Sequence, residues 1–301
     1  MTDRWSLGRR FLQLTRVVLF AGLVATSQAS PLPREGADPL QGLLDRTVAE
    51  LGLDSAAEEG RLAIAVVRLD GERVVGLGLV NGHQGFYAAS LPKIAILYGA
   101  AVSLDEGRVE LDDALHDDLV AMIRSSCNPC ANRVLDRIDR RWLLELLQHG
   151  EHRFYDPDLG GGLWVGKDYA PEAAYRRDPL HGFSHKATAW QAARFYTLLV
   201  RGELASPAST TLMLEALSNP AISHKFVAGL AETDARLYRK SGTWRNHHAD
   251  SALVVAETGS YILVGLARDR EGGRWLEQIA RALHRPVLES GDRGGSPIDN
   301  R

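Results

Sequence analysis

The chain has 301 residues, and its 45% hydrophobic and 24% charged residues are typical of a globular protein and exclude wholesale disorder. A chain of this length holds one large domain or two interleaved ones, and it buries enough surface to fold without a disulfide framework. Its 35 basic and 38 acidic residues give a net charge of −3. This charge excludes a broadly basic nucleic-acid binder and offers no attraction to an anionic membrane.

The first 29 residues have the pattern of a secretory signal peptide. Four arginines between positions 4 and 16 precede an apolar run over residues 17–25. Ser27 and Ala29 then place small side chains at the two positions that a signal peptidase reads. The apolar run is shorter than the ~20 residues of a membrane span, and no later segment is long and apolar enough to be one. We therefore predict cleavage after Ala29 and an exported, soluble mature protein, in the periplasm.

The mature chain is predicted to open with a helix and a β-hairpin. Apolar residues at helical spacing predict an amphipathic helix over residues 39–53. Residues 61–70 are rich in Ala, Ile and Val and predict a strand. The Asp70-Gly71 pair is a hairpin signal, so residues 74–79 are predicted to be the return strand.

The centre of the chain is predicted to be mainly helical. An apolar helical run begins at Ser90 and ends near Gly107, because Ser favours the start of a helix. Further helices are predicted within 112–150, over 187–204 and over 206–217. Residues 153–186 are rich in Gly, Pro, Asp and aromatic residues, and loops of this length often carry function.

Three strands and a helix are predicted to close the chain, over residues 236–244, 251–255, 261–267 and 273–284, before a disordered tail over 290–301. Because two strands come early and three late, we predict an α/β (α+β) fold with one mostly antiparallel five-stranded sheet flanked by helices. Residues of about 90–235 would form an inserted, all-helical lobe. The sheet lobe, about 39–89 and 236–289, would complete a single catalytic domain over 30–289, with a site in the cleft between the lobes.

Ser90 and Lys93 form an S-x-x-K motif at the predicted start of a helix. At this spacing both side chains lie on the same helix face, one turn apart. Lys93 can accept the serine proton if burial or another cation lowers its pKa. Taken alone, the motif also fits a serine that caps a helix and a lysine on the surface.

Two further short motifs follow. Ser126 and Asn128 form S-x-N between two helical segments, although Ser and Asn are common at such positions. Lys240, Ser241 and Gly242 form K-[ST]-G at the end of a predicted strand, followed by Thr243. The lysine supplies a charge for a substrate carboxylate, the hydroxyls supply donors, and the glycine permits close approach to the strand. The alternative for this segment is a plain strand end and turn.

The three motifs in this order, after a signal peptide, resemble those of the penicillin-recognising serine hydrolases, which are the class A β-lactamases and the penicillin-binding DD-peptidases. The segment Phe86–Lys93 looks like the class A version, and so does Asn128 followed by Ala131 and Asn132. The resemblance covers most of the mature chain, roughly residues 39–286, in the order of both motifs and predicted elements. It implies the β-lactamase/transpeptidase-like fold.

The resemblance also implies catalytic roles. Ser90 would be the nucleophile that attacks a β-lactam or D-Ala-D-Ala-like carbonyl, and Lys93 would be its base. Ser126 would relay a proton to the leaving nitrogen. The backbone N–H groups of Ser90 and Thr243 would form the oxyanion hole, a device worth about 3–4 kcal/mol per donor.

Substrate binding is implied for four residues. The amide of Asn128 would orient the substrate, and Lys240, Ser241 and Thr243 would hold its carboxylate. Lys93 and Lys240 close together would each lower the pKa of the other. No metal or other cofactor is expected.

Two features depart from the class A pattern. Class A enzymes deacylate with a Glu in an E-x-x-L-N loop motif, whereas Glu172 here lacks the following Leu and Asn. Glu172 is therefore a candidate deacylation base, with a solvated loop residue as the alternative, and without such a carboxylate the acyl-enzyme would be long-lived. The Arg expected after the K-[ST]-G strand is also absent, since counting reaches Ala249. Arg245 and His248 are candidates to replace it.

The cysteines and histidines allow other sites to be weighed. Cys127 and Cys130 form C-x-x-C within the second motif, and at this spacing in a helical turn a disulfide is feasible. We favour a disulfide that rigidifies the site over two free thiols, a thioredoxin-type motif or a zinc site. His247 and His248 do not have the zinc β-lactamase spacing, and adjacent strand side chains point to opposite faces. We therefore expect no metal site.

The sequence thus predicts a secreted active-site-serine hydrolase that opens β-lactam rings through an acyl–Ser90 intermediate, with slow deacylation if no carboxylate activates water. A DD-peptidase or related peptidoglycan-processing enzyme is the alternative, and a β-lactam or peptidoglycan sensor without turnover is the third. The expected partner is a small β-lactam or a peptidoglycan stem peptide. Neither a nucleic-acid partner nor a membrane span in the mature chain is expected, and we expect a monomer.

Overall fold

The computed structural model of the protein describes residues 39–290, all of which belong to one compact unit. The predicted signal peptide over residues 1–29 lies outside the described residues. So does the predicted tail over 290–301, apart from Ser290. The division of the chain into domains and its export therefore stay predictions.

The described residues form both helices and strands. The α-helices are α1 (Pro39–Glu50), α2 (Asp54–Glu58), α3 (Lys93–Asp105), α4 (Asp113–Arg124), α5 (Asn128–Ile138), α6 (Arg140–His149), α7 (Ala189–Val200), α8 (Pro207–Leu217), α9 (Phe226–Gly229) and α10 (Gly272–Glu289). The strands are β1 (Leu62–Asp70), β2 (Arg73–Val80), β3 (Phe86–Tyr87), β4 (Tyr155–Asp156), β5 (Gly161–Gly162), β6 (Trp164–Val165), β7 (His185–Ala187), β8 (Arg236–Trp244), β9 (His247–Ala256) and β10 (Gly259–Arg268).

The predicted five-stranded sheet is confirmed. Its order is β2-β1-β10-β9-β8, and every neighbouring pair is antiparallel. The two early strands therefore join the three late strands through the pairing of β1 with β10. Strand β8 forms one edge, and in its register with β9 Gly242 lies opposite Ala249. The K-[ST]-G segment thus lies on an edge strand, where a ligand can approach its backbone.

The two faces of the sheet carry different helices. In β1, Ile64 and Val66 pack toward α1 and α10, whereas Ala63, Ala65 and Val67 pack toward the inserted lobe. This alternation follows from the two-residue period of a strand, and it explains why β1 is buried on both faces. The long insertion between β2 and β8 therefore has one complete side of the sheet to cover.

Helix α3 forms the centre of the inserted lobe. Residues 93–101 are all buried, which fits a helix that is apolar all round, and Lys93 is the one charged residue among them. The helix begins at Lys93 rather than at the predicted Ser90, because a turn occupies residues 89–92. No helix within residues 39–290 combines the length and apolar character that crossing a membrane requires.

The lobe predicted to be all-helical contains four short strands, so this part of the prediction is wrong. Strands β6 and β7 form a small sheet with β3, which precedes the lobe, and β4 and β5 form another. Each has two or three residues, which is too short for an alternating pattern to be visible in the sequence. Strands β6 and β7 pair with each other and hold the two ends of the long loop over residues 166–184.

Candidate active site

Ser90 lies in the tight turn that joins β3 to α3. The N–H of Leu91 donates to the Ala88 carbonyl at 3.0 Å, and the N–H of Lys93 donates to the Ser90 carbonyl at 3.2 Å. Ala89, directly before the serine, has φ = 49°, a left-handed conformation that a non-glycine residue rarely adopts. The surrounding structure must hold this conformation, and strained backbone of this kind is concentrated at functional sites.

Lys93 is completely buried, which rules out the surface lysine that the S-x-x-K motif alone allowed. Its Nζ donates to the Ser126 carbonyl and to Oδ1 of Asn128, both at 2.7 Å. It also lies 4.4 Å from the centroid of the Tyr169 ring. Burial lowers the pKa of Lys93 to about 7, so a large fraction of its amine is neutral near pH 7. A neutral amine in this position can accept a proton.

The Ser126 hydroxyl connects Lys93 to Lys240. Lys240 Nζ donates to Ser126 Oγ at 3.0 Å, and Lys93 Nζ lies 3.4 Å from the same oxygen. Burial and the charge of Lys93 hold the pKa of Lys240 well below its ordinary value. Because Ser126 Oγ accepts from these amines, its own proton is available to a third group. Ser126 also has a left-handed backbone, with φ = 61°.

Gly242 allows β8 to pass directly against the Ser90 turn. A Cβ at this position would lie 2.2 Å from the Ala88 carbonyl oxygen and 2.7 Å from the Ser90 nitrogen. No side chain fits there, so a glycine is required for this approach. The next residue, Thr243, consequently lines the same cavity as Ser90, and Ser241 is buried beside Lys240.

A third buried lysine, Lys225, supports the end of β8. Its Nζ donates to the Gly242 carbonyl at 2.6 Å, to Thr243 Oγ1 at 2.8 Å and to the Ala249 carbonyl at 3.0 Å. Burial lowers its pKa to about 8. Lys225 could not be identified from the sequence, because no motif connects a lysine near the short helix α9 with a strand about twenty residues later.

Neither sequence candidate for the missing arginine occupies this place. Arg245 and His248 line a separate recess, of about 490 Å³, at the tip of the β8–β9 hairpin. Lys225 contacts both the Ala249 carbonyl and the Thr243 hydroxyl, so it brings a positive charge to the position where the arginine was expected.

The cleft at this site has a volume of about 590 Å³. It is large enough for a small organic ligand. The residues that line it include Ser90, Asn128, Asp168, Tyr169, His185, Thr243 and Trp244. The structure therefore brings Ser90, Lys93, Ser126, Asn128, Lys240, Ser241 and Thr243 together from three distant parts of the chain.

Glu172 does not join this group. It is exposed on the 166–184 loop, and the lining of the cleft stops at Pro171. The structure therefore does not place Glu172 with the residues that line the cleft, and its role as a deacylation base stays a prediction. The carboxylate in the cleft is Asp168, which accepts two hydrogen bonds from Arg140, at 2.5 and 3.0 Å.

Tyr169 forms the part of the cleft wall that faces Lys93. Its ring also packs on His185 at a centroid distance of 4.3 Å, and its backbone N–H donates to Asn132 Oδ1 at 2.8 Å. The Tyr169 hydroxyl is buried without a hydrogen-bond partner, and burial keeps its pKa well above the ordinary value. Within residues 39–290, no carboxylate hydrogen-bonds or ion-pairs with Lys93.

A buried ion pair fixes the far end of this loop. Asp178 accepts from Tyr155 Oη at 2.8 Å and from Lys186 Nζ at 2.9 Å. Burial would raise the pKa of Asp178, but the hydrogen bonds from Lys186 and Tyr155 outweigh it and hold the pKa below its ordinary value. The loop that carries Tyr169 is therefore tied to the core at Asp178 as well as at Asn132.

Cys127 and Cys130 form a disulfide, with their Cα atoms 5.3 Å apart. The disulfide lies at the start of α5. Cys127 stands between Ser126 and Asn128 of the second motif, and Cys130 lies in the first turn of the helix.

His247 and His248 are neighbours on β9. In the described part of the chain no group of three or more His, Cys, Asp or Glu side chains is arranged to hold a metal ion.

Comparisons with solved structures show the same fold. PBP-A is 21% identical, with a TM-score of 0.63 over 85% of this chain and 98% of PBP-A. A β-lactamase from Sphaerobacter thermophilus DSM 20745 is 19% identical, with a TM-score of 0.63 over 82% of this chain and 97% of that one. A variant of the class A β-lactamase of the last common ancestor of Gram-negative bacteria is 21% identical, with a TM-score of 0.65 over 83% and 99%.

Among curated proteins, none matches the sequence. A family profile does match. It describes the β-lactamase enzyme family and covers residues 114–287, from the start of α4 to the end of α10. Since this stretch is more than half of the chain and the fold agrees, the protein belongs to the β-lactamase enzyme family.

Proposed function

We propose that the protein is an active-site-serine hydrolase that opens β-lactam rings through an acyl–Ser90 intermediate and releases the acyl group slowly. The observation that carries this proposal is the chain of contacts from Lys93 through Ser126 Oγ to Lys240. This chain adjoins the cleft that Ser90 lines, because Lys93 Nζ also donates to the cleft residue Asn128. It supplies a base, a proton relay and a second amine beside one cleft.

Acylation proceeds in two steps. Ser90 Oγ attacks the lactam carbonyl carbon while neutral Lys93 takes the serine proton, and the negative oxygen forms beside the N–H groups of Ser90 and Thr243. The ring C–N bond then breaks, Ser126 gives its proton to the leaving nitrogen, and protonated Lys93 restores the Ser126 proton. The products are an ester on Ser90 and a ring-opened amine, with Lys93 neutral again.

The substrate carboxylate is proposed to bind at the end of β8. Lys240 offers an amine there, which a bound carboxylate would keep protonated, and Ser241 and Thr243 offer hydroxyls. Because Thr243 Oγ1 accepts a hydrogen bond from Lys225, the Thr243 proton is free to donate to the substrate. Lys225 thus orients a binding group and adds positive charge behind it.

Slow release of the acyl group follows from the wall of the cleft opposite Lys93. Hydrolysis of the ester needs a group that activates water, and in the described residues an aromatic ring, not a carboxylate, faces Lys93. Asp168 lies in the cleft, but its two oxygens are bound by Arg140. A PBP-A mutant has been solved as an acyl-enzyme complex with penicillin G, so this fold accommodates such an intermediate.

The same wall favours a second candidate, a penicillin-binding enzyme that processes peptidoglycan stem peptides or a sensor that stays acylated. Such proteins use the same acylation residues and do not need to hydrolyse β-lactams. Release of D-Ala from a stem peptide would identify the peptidase. Acylation without D-Ala release and without β-lactam turnover would identify the sensor.

Intact-mass spectrometry after exposure to penicillin, followed over time, tests the proposal. We expect the mass of one penicillin to appear on the wild type and to decline slowly, with slow turnover of a chromogenic cephalosporin. Ser90→Ala should gain no mass. Labelling of Ser90→Ala, or a wild type that is never acylated, would falsify the assignment.

Export is part of the proposal. The charged and apolar start of the sequence supports a mature chain that begins after Ala29. Expression of the full chain in a Gram-negative host, followed by mass measurement of the periplasmic protein, should give the mass of residues 30–301. A full-length cytoplasmic product would contradict it.

A further inference from the structure

The link between α4 and α5 holds the base of the proposed reaction. Lys93 Nζ donates to the Ser126 carbonyl and the Asn128 side chain, and the Cys127 carbonyl lies 3.4 Å from it. Three consecutive residues therefore surround the Lys93 amine. A shift of this link would move Lys93 and the Ser126 hydroxyl together.

Part of the link is exposed to solvent. Asn128 and Pro129 are exposed, and Ser126 has a left-handed backbone that costs free energy for a residue with a side chain. The Cys127–Cys130 disulfide closes a covalent ring that begins directly after Ser126 and contains Asn128. Because Cys130 is buried in the core, the disulfide ties this exposed link to a fixed point.

We infer that the Cys127–Cys130 disulfide is a positioning element for Lys93, and that its reduction by a dithiol slows the acylation of Ser90. This inference rests on the proposed function, because it concerns the rate of that reaction. It assigns the C-x-x-C motif a role in controlling the site in addition to holding the fold.

The geometry also favours the reduction itself. Cys127 is only half-buried, so a dithiol thiolate can attack its sulfur and Cys130 leaves as a thiolate. Arg133 Nη2 lies 3.4 Å from Cys130 Sγ and stabilises that leaving group. The second thiol of the reductant then displaces Cys127. The dithiol is oxidised to its disulfide, and both protein sulfurs are reduced.

The reduced Cys127 would change the electrostatics of the site. Its sulfur lies at the N-terminus of α5 and accepts from the N–H of Cys130 at 3.1 Å, a position that favours a thiolate. The titratable groups that face Lys93 from the other elements are Lys240 on β8, His185 on β7 and Tyr169 on the loop. The new negative charge would therefore raise the pKa of Lys93 and move the acylation profile to higher pH.

Two variants separate the loss of the cross-link from the new charge. We expect reduced wild type to be acylated by penicillin on the order of tenfold more slowly at pH 7 than oxidised wild type, because small misplacements of catalytic groups are costly. The double variant Cys127→Ser, Cys130→Ser should also be slow and should not respond to the dithiol. Its acylation profile should keep the oxidised midpoint, whereas the profile of reduced wild type should move to higher pH.

Further measurements remove ambiguity about folding and about the proposed function. Circular dichroism of the reduced protein should show an intact fold, and reoxidation should restore the rate. Equal acylation rates in the two redox states, or a disulfide that the dithiol cannot reduce, would overturn the inference but not the proposed function. If oxidised protein is not acylated at all, the proposed function fails, and the part of the inference that concerns the acylation rate fails with it. Titration of Lys93 by nitrogen NMR in both redox states then decides whether the disulfide positions Lys93, and identical titrations overturn that part as well.

Discussion

The two walls of the cleft are built in different ways. On the acylation wall, formed by α3, the α4–α5 link and β8, polar groups converge and contact one another, as Lys93 and Lys240 do through Ser126 Oγ. On the loop wall, Tyr169 presents a ring, and the one lining carboxylate, Asp168, is bound by Arg140. The difference separates a wall of converging polar groups, which the proposed acylation would use, from a wall whose one lining carboxylate is held by an arginine.

The largest expected effect is on the acylation wall. Lys93→Ala removes the base and one of the two amines at Ser126, so acylation by penicillin should slow by about 10³-fold or more. Stopped-flow measurement of the acylation rate, with melting curves to check the fold, would test this. A variant that is folded and still acylated at the wild-type rate would show that another group takes the Ser90 proton.

The pH dependence of acylation sharpens the same assignment. Burial lowers the pKa of Lys93 to about 7, so the amine is protonated and inactive as a base below that pH. The acylation rate should rise about tenfold per pH unit below pH 7 and level off above it. A rate that is constant between pH 5 and pH 7 would contradict Lys93 as the base.

A carboxylate on the loop wall should weaken the contrast between the walls. Tyr169→Glu places a potential base close to Lys93, and loss of the acyl group from Ser90 should become about tenfold faster or more. Tyr169→Phe is the matched control, since it keeps the ring and removes only the unpartnered hydroxyl. Time-resolved intact-mass measurements should give Tyr169→Phe the wild-type lifetime. Equal lifetimes for Tyr169→Glu and the wild type would argue against Tyr169 as the cause of slow release.

Lys225→Met should have a smaller effect, on binding. The variant loses the hydrogen bond to Thr243 and the positive charge behind it, so half-maximal acylation should require on the order of tenfold more penicillin. The limiting acylation rate should change little, because Lys225 does not contact Lys93 or Ser126. Lys225→Arg, which keeps a positive charge, should recover part of the affinity. A fall in the limiting rate with unchanged affinity would instead place Lys225 in the chemical step.

The smallest effect is expected at Glu172. Its side chain is exposed and lies outside the cleft lining, so Glu172→Ala should leave both acylation and release within experimental error of the wild type. Accumulation of acyl-enzyme in Glu172→Ala would mean that the loop rearranges during the reaction and brings this carboxylate to the ester.

Most of the fold and part of the candidate site could be predicted from the sequence. The five strands could be predicted because apolar runs and turn signals are local, and the predicted strand over 236–244 coincides with β8. The residues of the three motifs could be chosen because each motif is local as well; the structure places them close together, and their roles in acylation stay predictions. The positions of Tyr169 and Lys225 could not, since a ring over an amine or a lysine under a threonine depends on contacts between distant segments.

Backbone strain was also beyond sequence analysis. Ala89 and Ser126 adopt left-handed conformations although neither is a glycine, and only the surrounding contacts explain this. The predicted helix start at Ser90 was three residues early for the same reason, because the strained turn at Ala89 precedes α3. The exposed position of Glu172 outside the cleft lining could not be predicted either, because sequence distance alone does not show which loop residues line a cleft.

The buried pair of Asp178 and Lys186 has a consequence for the lifetime of an acyl group. Separating the pair would leave a charge alone in the interior, at a cost of about 3–5 kcal/mol. The stretch from Tyr169 to Asp178 is held at one end by the hydrogen bond of the Tyr169 N–H to Asn132 and at the other by this pair, so its opening would require these contacts to break. Water would reach the ester opposite Tyr169 during such openings. The lifetime of the acyl-enzyme would then depend on local unfolding of the loop, which amide hydrogen exchange measures.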